Sequence, residues 1–289
     1  MKYTLMDFQK EFPDDRACLD FILKLKYPHG TQCPECEKRN CLHPVEGRRA
    51  YSCAWCAHQV YPTAGTVFHK SPTSLSKWFF AIFLMAQSRN GVAAKEIERQ
   101  VGVTYKCAWR MAHQIRLLMQ DGNNPLWGIV EADETYVGGI RKGKRGRGAA
   151  GKTAVVGLVA RQGDVRCKVV EKVNGETVLG NIQRNVAPDA TVYSDELNVY
   201  NRLGKLGFTH DTVAHGTGEF ARGPVHTNSI EGFWSQVKRS ISGTHHSVSK
   251  KWLQNYVNEF SFRYNRRRAY APMFSQLVAK AAEQHASAA

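Results

Sequence analysis

The order of apolar and polar positions divides the chain into a helical amino-terminal part and a mixed carboxyl-terminal part. Between Leu75 and Met85 the apolar residues recur every three or four positions, behind Ser74 or Ser76 as a possible cap, which predicts a helix. Later, short apolar and β-branched runs predict strands at 127–133, 154–160, 165–170 and 190–193, and helices follow after 175, from 228 and near 249. The pattern therefore predicts an α/β domain behind smaller modules.

The segment after the first long helix predicts a helix-turn-helix. A short helix ends near Gln100, Gly102 supplies the turn, and Thr104 opens a second helix. In a DNA-binding version of this motif the front of the second helix enters a major groove. The residues at that position are Tyr105, Lys106, Trp109 and Arg110. The alternative is an ordinary pair of helices with no DNA-binding role.

Four of the eight cysteines form two CxxC pairs with 16 residues between them, and this spacing is typical of a four-cysteine zinc site. The pairs are Cys33 with Cys36 and Cys53 with Cys56. Four thiolates complete a tetrahedron and leave no open position, so we predict a structural Zn²⁺ in a zinc ribbon. A thioredoxin-like redox pair is the alternative, but it would not occur twice outside a βαβ context.

Composition and charge narrow the class of protein. With 289 residues and 43% hydrophobic residues the chain has enough apolar surface for packed cores. The 40 Lys and Arg residues exceed the 25 Asp and Glu residues and give a net charge of +15, which indicates a polyanionic partner such as nucleic acid. The longest apolar run, 78–86, is about half of what spans a bilayer. We expect a cytoplasmic protein without a signal peptide or membrane partner.

Three acids stand where phosphodiester chemistry needs them. Asp133 and Asp195 follow predicted strands, Glu231 lies near the start of the helix at 228–239, and Lys238 lies two turns beyond it. The predicted elements follow one another as three strands, a helix, a strand with an acid at its end and a later helix that carries another acid. This is the order of elements in an RNase H-like core. Carboxylates hold the divalent ions that activate the attacking oxygen and stabilise the leaving oxygen.

Each acid also has a structural interpretation. Asn228 and Glu231 fit a capping box, and Asp195 fits the cap of a following helix. Asp133 fits a residue at a strand-end turn, in which case Glu131 and Glu134 are equally available as ligands.

Three segments resemble the ISXO-type insertion-sequence transposases of the DDE superfamily. They are Val130-Glu-Ala-Asp-Glu-Thr-Tyr-Val-Gly-Gly139, Tyr193-Ser-Asp-Glu196 and His226-Thr-Asn-Ser-Ile-Glu-Gly-Phe-Trp-Ser-Gln-Val-Lys-Arg239. Together with the ribbon and the helix-turn-helix, the resemblance covers nearly the whole chain. It implies an RNase H-like domain that cuts double-stranded DNA at the ends of a mobile element and joins the freed 3′-hydroxyl to target DNA, using Mg²⁺ or Mn²⁺.

By this resemblance Asp133 and Asp195 are the first two catalytic acids, and Lys238 is the basic residue after the third. Some relatives have asparagine as the third ligand, so Glu231 and Asn228 both remain candidates. Transposition joins paired ends, which implies a homodimer or a higher assembly on DNA.

A basic segment between the first two strands is a further candidate for DNA backbone contact, together with Lys238 and Arg239. Its cations are Arg141, Lys142, Lys144, Arg145, Arg147 and Lys152. The run Gly146 to Thr153 also fits the P-loop pattern, but a P-loop joins a buried strand to a helix, whereas here a β-branched run follows. Nucleotide binding by a P-loop ATPase is therefore disfavoured.

These observations predict five parts of the chain. They are a helical segment (1–28), a zinc ribbon (29–66), a helix-turn-helix region (72–120), an RNase H-like DDE domain (125–280) and a fraying tail (281–289). The predicted function is DNA transposition, with binding of terminal inverted repeats, strand cleavage and strand transfer. The alternative is a non-catalytic zinc-ribbon and helix-turn-helix regulator, in which the acids only cap helices.

Overall fold

The computed structural model describes residues 3–122, 124–138 and 151–283. These residues form two compact units, one within 1–88, 94–118 and 269–289, and the other within 89–93 and 119–268. In the part of the chain so described, no helix has the length and apolar character needed to cross a membrane.

The first unit combines helices with a small antiparallel sheet in the order β1-β2-β3. Its elements up to residue 118 are α1 (Leu5–Glu11), α2 (Asp15–Lys26), β1 (Leu42–Pro44), β2 (Tyr51–Cys53), β3 (Gln59–Val60), α3 (Leu75–Gln87), α4 (Ala94–Val101) and α5 (Tyr105–Leu118).

The helices of the first unit begin at caps. Ser74 accepts a hydrogen bond from the backbone N–H of Lys77 at the start of α3, as its sequence position predicts. The carboxylate of Asp15, on α2, also accepts from the backbone N–H groups of Leu75 and Ser76, each at 2.9 Å. Helix α3 is therefore fixed at its first turn by a residue that is distant in sequence.

The second unit contains a five-stranded sheet in the order β6-β5-β4-β7-β8. Strands β4, β7 and β8 are parallel, while β5 is antiparallel to both β4 and β6. Its elements are β4 (Ile129–Val137), β5 (Thr153–Ala160), β6 (Val165–Val170), α6 (Gly175–Asn185), β7 (Thr191–Ser194), β8 (Thr209–Thr212), β9 (Ala221–Arg222), β10 (Val225–His226), α7 (Asn228–Ser240) and α8 (Leu253–Asn265). This mixed order is that of the RNase H-like fold.

Helices cover both faces of this sheet. On one face α6 packs against a cluster that includes Leu158, Ile182 and Val192. On the other face α7 and α8 pack against a second cluster that includes Val159 and Phe260. Since all eight residues of β5 are buried, its β-branched run is explained by burial on both faces. A strand at this position also excludes the helix that a P-loop requires after Lys152.

After the second unit the chain returns to the first as α9 (Met273–Glu283). Phe274 on this helix is buried, and its ring contacts the rings of Phe8, Phe12, Phe79 and Phe83 at centroid distances of 5.6–6.2 Å. Aromatic pairs at these distances contribute beyond their buried area. The core of the first unit is thus completed by a helix from the carboxyl-terminal part of the chain.

Candidate functional site

The four predicted zinc ligands form one cluster on two matching turns. Their Sγ atoms all lie within 4.8 Å of one another. In each turn the residue after the second cysteine has a positive φ of 57°, Glu37 in one and Ala57 in the other. The backbone N–H of each of these residues donates to the carbonyl of the first cysteine, Cys33 or Cys53. The turns are thereby alike, and each directs two thiols to the same point.

The spacing of these thiols fits Zn²⁺. The sulfur atoms of Cys33 and Cys56 are 3.5 Å apart, and those of Cys36 and Cys53 are 3.6 Å apart. A tetrahedron with Zn–S bonds near 2.3 Å has edges of about 3.8 Å. Desolvation raises the pKa of Cys53, but hydrogen bonds from the backbone N–H groups of Cys56 and Trp55 and from neighbouring thiols lower it to about 6. One thiolate is therefore favoured at neutral pH.

A fifth cysteine contacts this cluster. The Cys41 side chain is buried, and its Sγ lies 3.4 Å from that of Cys53. Its thiol donates to the carbonyl of Lys38 at 3.0 Å. Sequence spacing alone gave Cys41 no role, because it does not belong to a CxxC pair.

Two parallel strands bring Asp133 and Asp195 together. Ala132 of β4 is in register with Ser194 of β7, and each acid is the next residue along its chain. Asp133 lies in the middle of β4, which continues to Val137. The expectation that its strand ends at Asp133 was wrong, and so was its interpretation as a turn residue.

Glu134 is the third acid of this cluster. Carboxylate oxygens of Asp133, Glu134 and Asp195 lie within 4.8 Å of one another. The phenol of Tyr200, which is fully buried, donates to Glu134 at 3.4 Å. Glu134 was one of two alternatives that the sequence left open, and the structure brings it to the two aspartates.

Trp234 of α7 holds Asp133 through a contact that glycine permits. The indole Nε1–H donates to Oδ2 of Asp133 at 3.1 Å. The ring lies over Gly157, which pairs with Asp133 across β4 and β5, and a Cβ at Gly157 would stand 2.4 Å from the indole. On the other strand, Oδ1 of Asp195 accepts from the backbone N–H of Leu197 at 3.0 Å. Both aspartates are thereby oriented before any ligand binds.

The electrostatics of the cluster favour a cation. Burial raises the pKa of Asp133 to about 8, with further contributions from the charges of Glu134, Asp195 and Glu231. Carboxylates at such short range destabilise one another's charged form, and a divalent cation removes that repulsion. Hard cations such as Mg²⁺ and Mn²⁺ prefer oxygen ligands, so the donor set fits them.

The second open alternative, Glu131, has a different environment. Its carboxylate is fully buried and forms an ion pair with Arg161 at 2.7 Å. It also accepts from the backbone N–H groups of Ser229 and Ile230, at 2.7 and 3.0 Å. Glu131 therefore caps α7 from the sheet and lies outside the acidic cluster. Thr227 occupies the N-cap position of α7 without a side-chain cap bond, so the capping box of Asn228 and Glu231 is not formed.

Glu231 lies near the cluster, and its charge reaches Asp133, but it is not among the three acids within 4.8 Å of one another. Its Oε1 accepts from the Thr227 hydroxyl at 2.8 Å and lies 3.6 Å from Nε2 of His215. The loop that carries His215 is held by Glu196, which accepts from the N–H groups of His215 and Gly216 at 2.8 and 3.0 Å. Asn228, Lys238 and Arg239 are exposed on α7.

The predicted DNA-reading residues lie at the start of α5. Tyr105, Lys106 and Arg110 are exposed there, while Trp109 is half-buried and stacks on His113 with ring centroids 5.2 Å apart. The turn before α5 contains Gly102 at φ 66°, and Thr104 accepts from the N–H of Cys107 at 3.3 Å. Of the basic segment, Lys152 is half-buried and directly precedes β5. Arg141, Lys142, Lys144, Arg145 and Arg147 lie outside the described residues.

Several side chains of this site had no sequence signal as site residues. Trp234 is not one of the predicted ligands, and its contact with Asp133 depends on Gly157 of β5. His215 and Glu196 meet only because the loop after β8 folds back towards β7.

Comparison with known proteins gives matches over most of the chain. The model of the ISXO2-like transposase domain matches residues 125–265, and that of the transposase zinc-ribbon domain matches residues 13–59. A protein of transposable element ISH50 in Halobacterium salinarum is 28% identical over 88% of this chain and 92% of its own length. A transposase-like protein of Haemophilus influenzae is 31% identical over 35% of this chain and 84% of its own length. The Mos1 pre-cleavage transpososome matches 76% of this chain and 82% of the Mos1 chain with 11% identity and a TM-score of 0.30.

Proposed function

This chain belongs to the ISXO2-like insertion-sequence transposases, and from that premise we propose that it cleaves DNA at the ends of its element and transfers the freed strand to target DNA. The observation that carries the proposal is the meeting of Asp133 and Asp195 with Glu134 on adjacent parallel strands. A non-catalytic regulator has no need of three carboxylates held at such short range against their mutual repulsion.

Asp133, Asp195 and a third side chain hold Mg²⁺ or Mn²⁺ in this proposal. When bound, divalent ions activate the attacking oxygen and stabilise the leaving oxygen at the scissile phosphate. The raised pKa of Asp133, about 8, supports a cation at this position, because the charge of a cation stabilises the carboxylate form. Trp234 orients Asp133, and the backbone N–H of Leu197 orients Asp195.

The third ligand has two candidates on α7 and a neighbour on β4. Glu231 is favoured over Asn228, because its charge already acts on Asp133. Glu134 is closer to both aspartates and is able to share the site. Three variants separate these roles, namely Glu231→Gln, Asn228→Ala and Glu134→Gln. Substitution of a metal ligand raises the Mn²⁺ concentration that cleavage requires, whereas substitution of a residue that is not a ligand leaves it unchanged.

DNA is bound through surfaces of both units in this proposal. Tyr105, Lys106, Trp109 and Arg110 read the terminal inverted repeats through a major groove. Lys238 and Arg239, on the helix of Glu231, contact backbone phosphates beside the acids. Lys152 and the cations of 141–147 add sequence-independent affinity.

Two protomers are required to hold paired ends, so we propose a dimer or a higher assembly on DNA. The ribbon cysteines hold a structural Zn²⁺.

Incubation of the full chain with labelled duplex DNA from the ends of its own element tests the proposal. Cleavage at the element boundary is expected with Mg²⁺ or Mn²⁺ and not with EDTA. Asp133→Ala and Asp195→Ala are each expected to lower the rate by about 1,000-fold, because a bound metal stabilises the transition state by several kcal/mol and about 4 kcal/mol corresponds to that factor. Asp189→Ala is the control, because Asp189 is an exposed acid of the same unit that lies outside the cluster.

Cleavage by either aspartate variant at the rate of the Asp189→Ala control would contradict the assignment. Specific binding of the element ends without a cut in any metal would favour the regulator. Gel-shift titration of the same variants separates the two activities, because we expect Asp195→Ala to bind the ends with unchanged affinity.

A further inference from the structure

A polar cavity of about 450 Å³ lies at the free edge of the five-stranded sheet. Its walls come from α6, the outer strand β6, α8 and residues 120–122, all within the second unit. None of the acids discussed above is in its wall. A cavity of this size is within the range of small-ligand sites.

The wall contains buried donors that have no acceptor among the described residues. Asn181 is 6% exposed, and its Nδ2 has no hydrogen-bond partner there, although its Oδ1 accepts from Asn185. Nε of Arg166 is likewise buried and unpartnered in the described chain. A buried donor without an acceptor is costly. A ligand that supplies acceptor oxygens would satisfy both donors.

Cations outnumber acids in the wall of the cavity. Arg166, Lys168 and Arg184 are cations, and the acid in the wall, Asp121, is already paired with Arg266 at 2.6 Å. Outside the wall, Arg166 reaches the half-exposed Asp164 only at 3.4 Å. The cavity thus has a surplus of positive charge, which selects an anion with several acceptor oxygens.

We propose that this cavity binds one nucleotide unit, with its phosphate at the cations and its base at the amide side chains. Arginine and lysine are the residues that recognise phosphate, and amides offer both a donor and an acceptor to the edge of a base. Asn181 of α6, with its unpartnered Nδ2, and Asn258 of α8 supply such amides. Gln254 holds Asn258 in place, because its Nε2 donates to Oδ1 of Asn258 at 2.8 Å and its own Oε1 accepts from the backbone N–H of Val169. A free nucleotide and a nucleotide within a DNA strand present the same chemistry. This site is independent of the cleavage reaction.

Calorimetric titration of the full chain with dAMP tests the proposal, without added divalent metal so that the acidic cluster has no affinity for phosphate. Lys168→Gln and Arg184→Gln each lower dAMP affinity about tenfold, which is the effect of losing one charge-assisted hydrogen bond. Both side chains are exposed, so these variants keep the melting temperature of the parent. Lys205→Gln removes an exposed lysine of the same unit outside the cavity and is expected to leave affinity unchanged.

Three further titrants define what is recognised. Deoxyadenosine, which lacks the phosphate, is expected to bind at least tenfold more weakly than dAMP. A short deoxyadenosine oligonucleotide that binds more tightly than dAMP, with the same sensitivity to Arg184→Gln, assigns the site to a DNA strand, whereas tighter binding of dAMP assigns it to free nucleotides. Inorganic phosphate that binds as well as dAMP would overturn the nucleotide assignment. Equal dAMP affinity for Arg184→Gln and Lys205→Gln, or no dAMP binding at millimolar concentration, would overturn the site itself.

Discussion

At the scale of single residues, the position of Glu131 shows how two acids on one strand acquire different roles. Glu131 and Asp133 are two positions apart on β4 and so lie on the same face of the sheet. Glu131 is neutralised by Arg161 and by the first N–H groups of α7, whereas Asp133 lies among other carboxylates. The first arrangement stabilises the fold, and the second favours binding of a cation.

Loss of the Glu131 charge is expected to destabilise the second unit. Glu131→Gln leaves Arg161 without its carboxylate partner and weakens the cap of α7, so we expect a loss of about 3 kcal/mol in unfolding free energy, the lower end for a broken buried ion pair. Arg161 keeps the carbonyls of Pro224 and His226 as acceptors, which limits the cost. Urea unfolding measures the change.

The matched control is Glu171→Gln. Glu171 pairs with Lys250 at 3.4 Å, and both side chains are mostly exposed. A surface pair of this kind contributes about 0–1 kcal/mol. Equal urea midpoints for Glu131→Gln and Glu171→Gln would show that Glu131 does not hold α7 in place.

At the scale of elements, the positions of helices and strands were predicted well from the sequence. The contacts that hold the ends of these elements were not. The strands at 154–160 and 165–170 and the helix from 228 agree with β5, β6 and α7 to within a residue at their starts. The start of α7 is capped by Glu131 from 98 residues away, and that of α3 receives Asp15 from 60 residues away. Caps of this kind depend on tertiary packing, which a local sequence pattern does not contain.

The acids of the site were likewise predictable only where the order of the strands determines their position. Asp133 and Asp195 follow from strand order, because parallel neighbours bring corresponding positions together. Glu134 was only one of two alternatives, since adjacent residues of a strand normally point to opposite faces. The contact of Trp234 with Asp133 required knowledge of how closely α7 approaches β5.

That close approach gives a prediction at the element scale. In Gly157→Ala the new methyl group would overlap the indole of Trp234 and the side chain of Ile230. We expect a loss of about 2 kcal/mol in stability, as overpacking of a core produces. We also expect slower cleavage, because Trp234 moves away from Asp133.

Gly180→Ala is the control for this substitution. Gly180 lies within α6, and the nearest atom to a Cβ there is 3.6 Å away on Arg184. Alanine in a helix interior is favoured over glycine, so this variant gains roughly 0.5–1 kcal/mol. Thermal melting compares the two, and unchanged or higher stability of Gly157→Ala would contradict the described packing of α7 on β5.

At the scale of the whole molecule, the two candidate metal sites belong to different units. The four cysteines lie in the first unit, and Asp133, Glu134 and Asp195 lie in the second. Loss of zinc is therefore expected to unfold the ribbon and to leave the sheet that carries the acids folded.

Cys36→Ser tests this separation. The zinc content measured by metal analysis is expected to fall from one zinc per chain to less than about 0.1 per chain, because a structural site needs all four ligands. Hydrogen exchange is expected to rise in residues 29–66 and to stay unchanged in β4 and β5. Cys107→Ser, a cysteine outside the cluster, keeps its zinc. One zinc per chain in Cys36→Ser, or loss of protection in β4, would contradict the prediction.

The return of α9 to the first unit fixes an order of events during protein synthesis. The ribosome makes α1 to α5 first, then the entire sheet domain, and only then the helix whose Phe274 fills the first core. Domains generally fold as they emerge, but here the aromatic core of the first unit is complete only after α9 has been made. A premature stop after residue 268 is therefore expected to leave the five-stranded sheet intact and to remove Phe274 from the aromatic core that it forms with α1 and α3. A gene copy shortened at its 3′ end is therefore expected to lose stability in the unit that is made first.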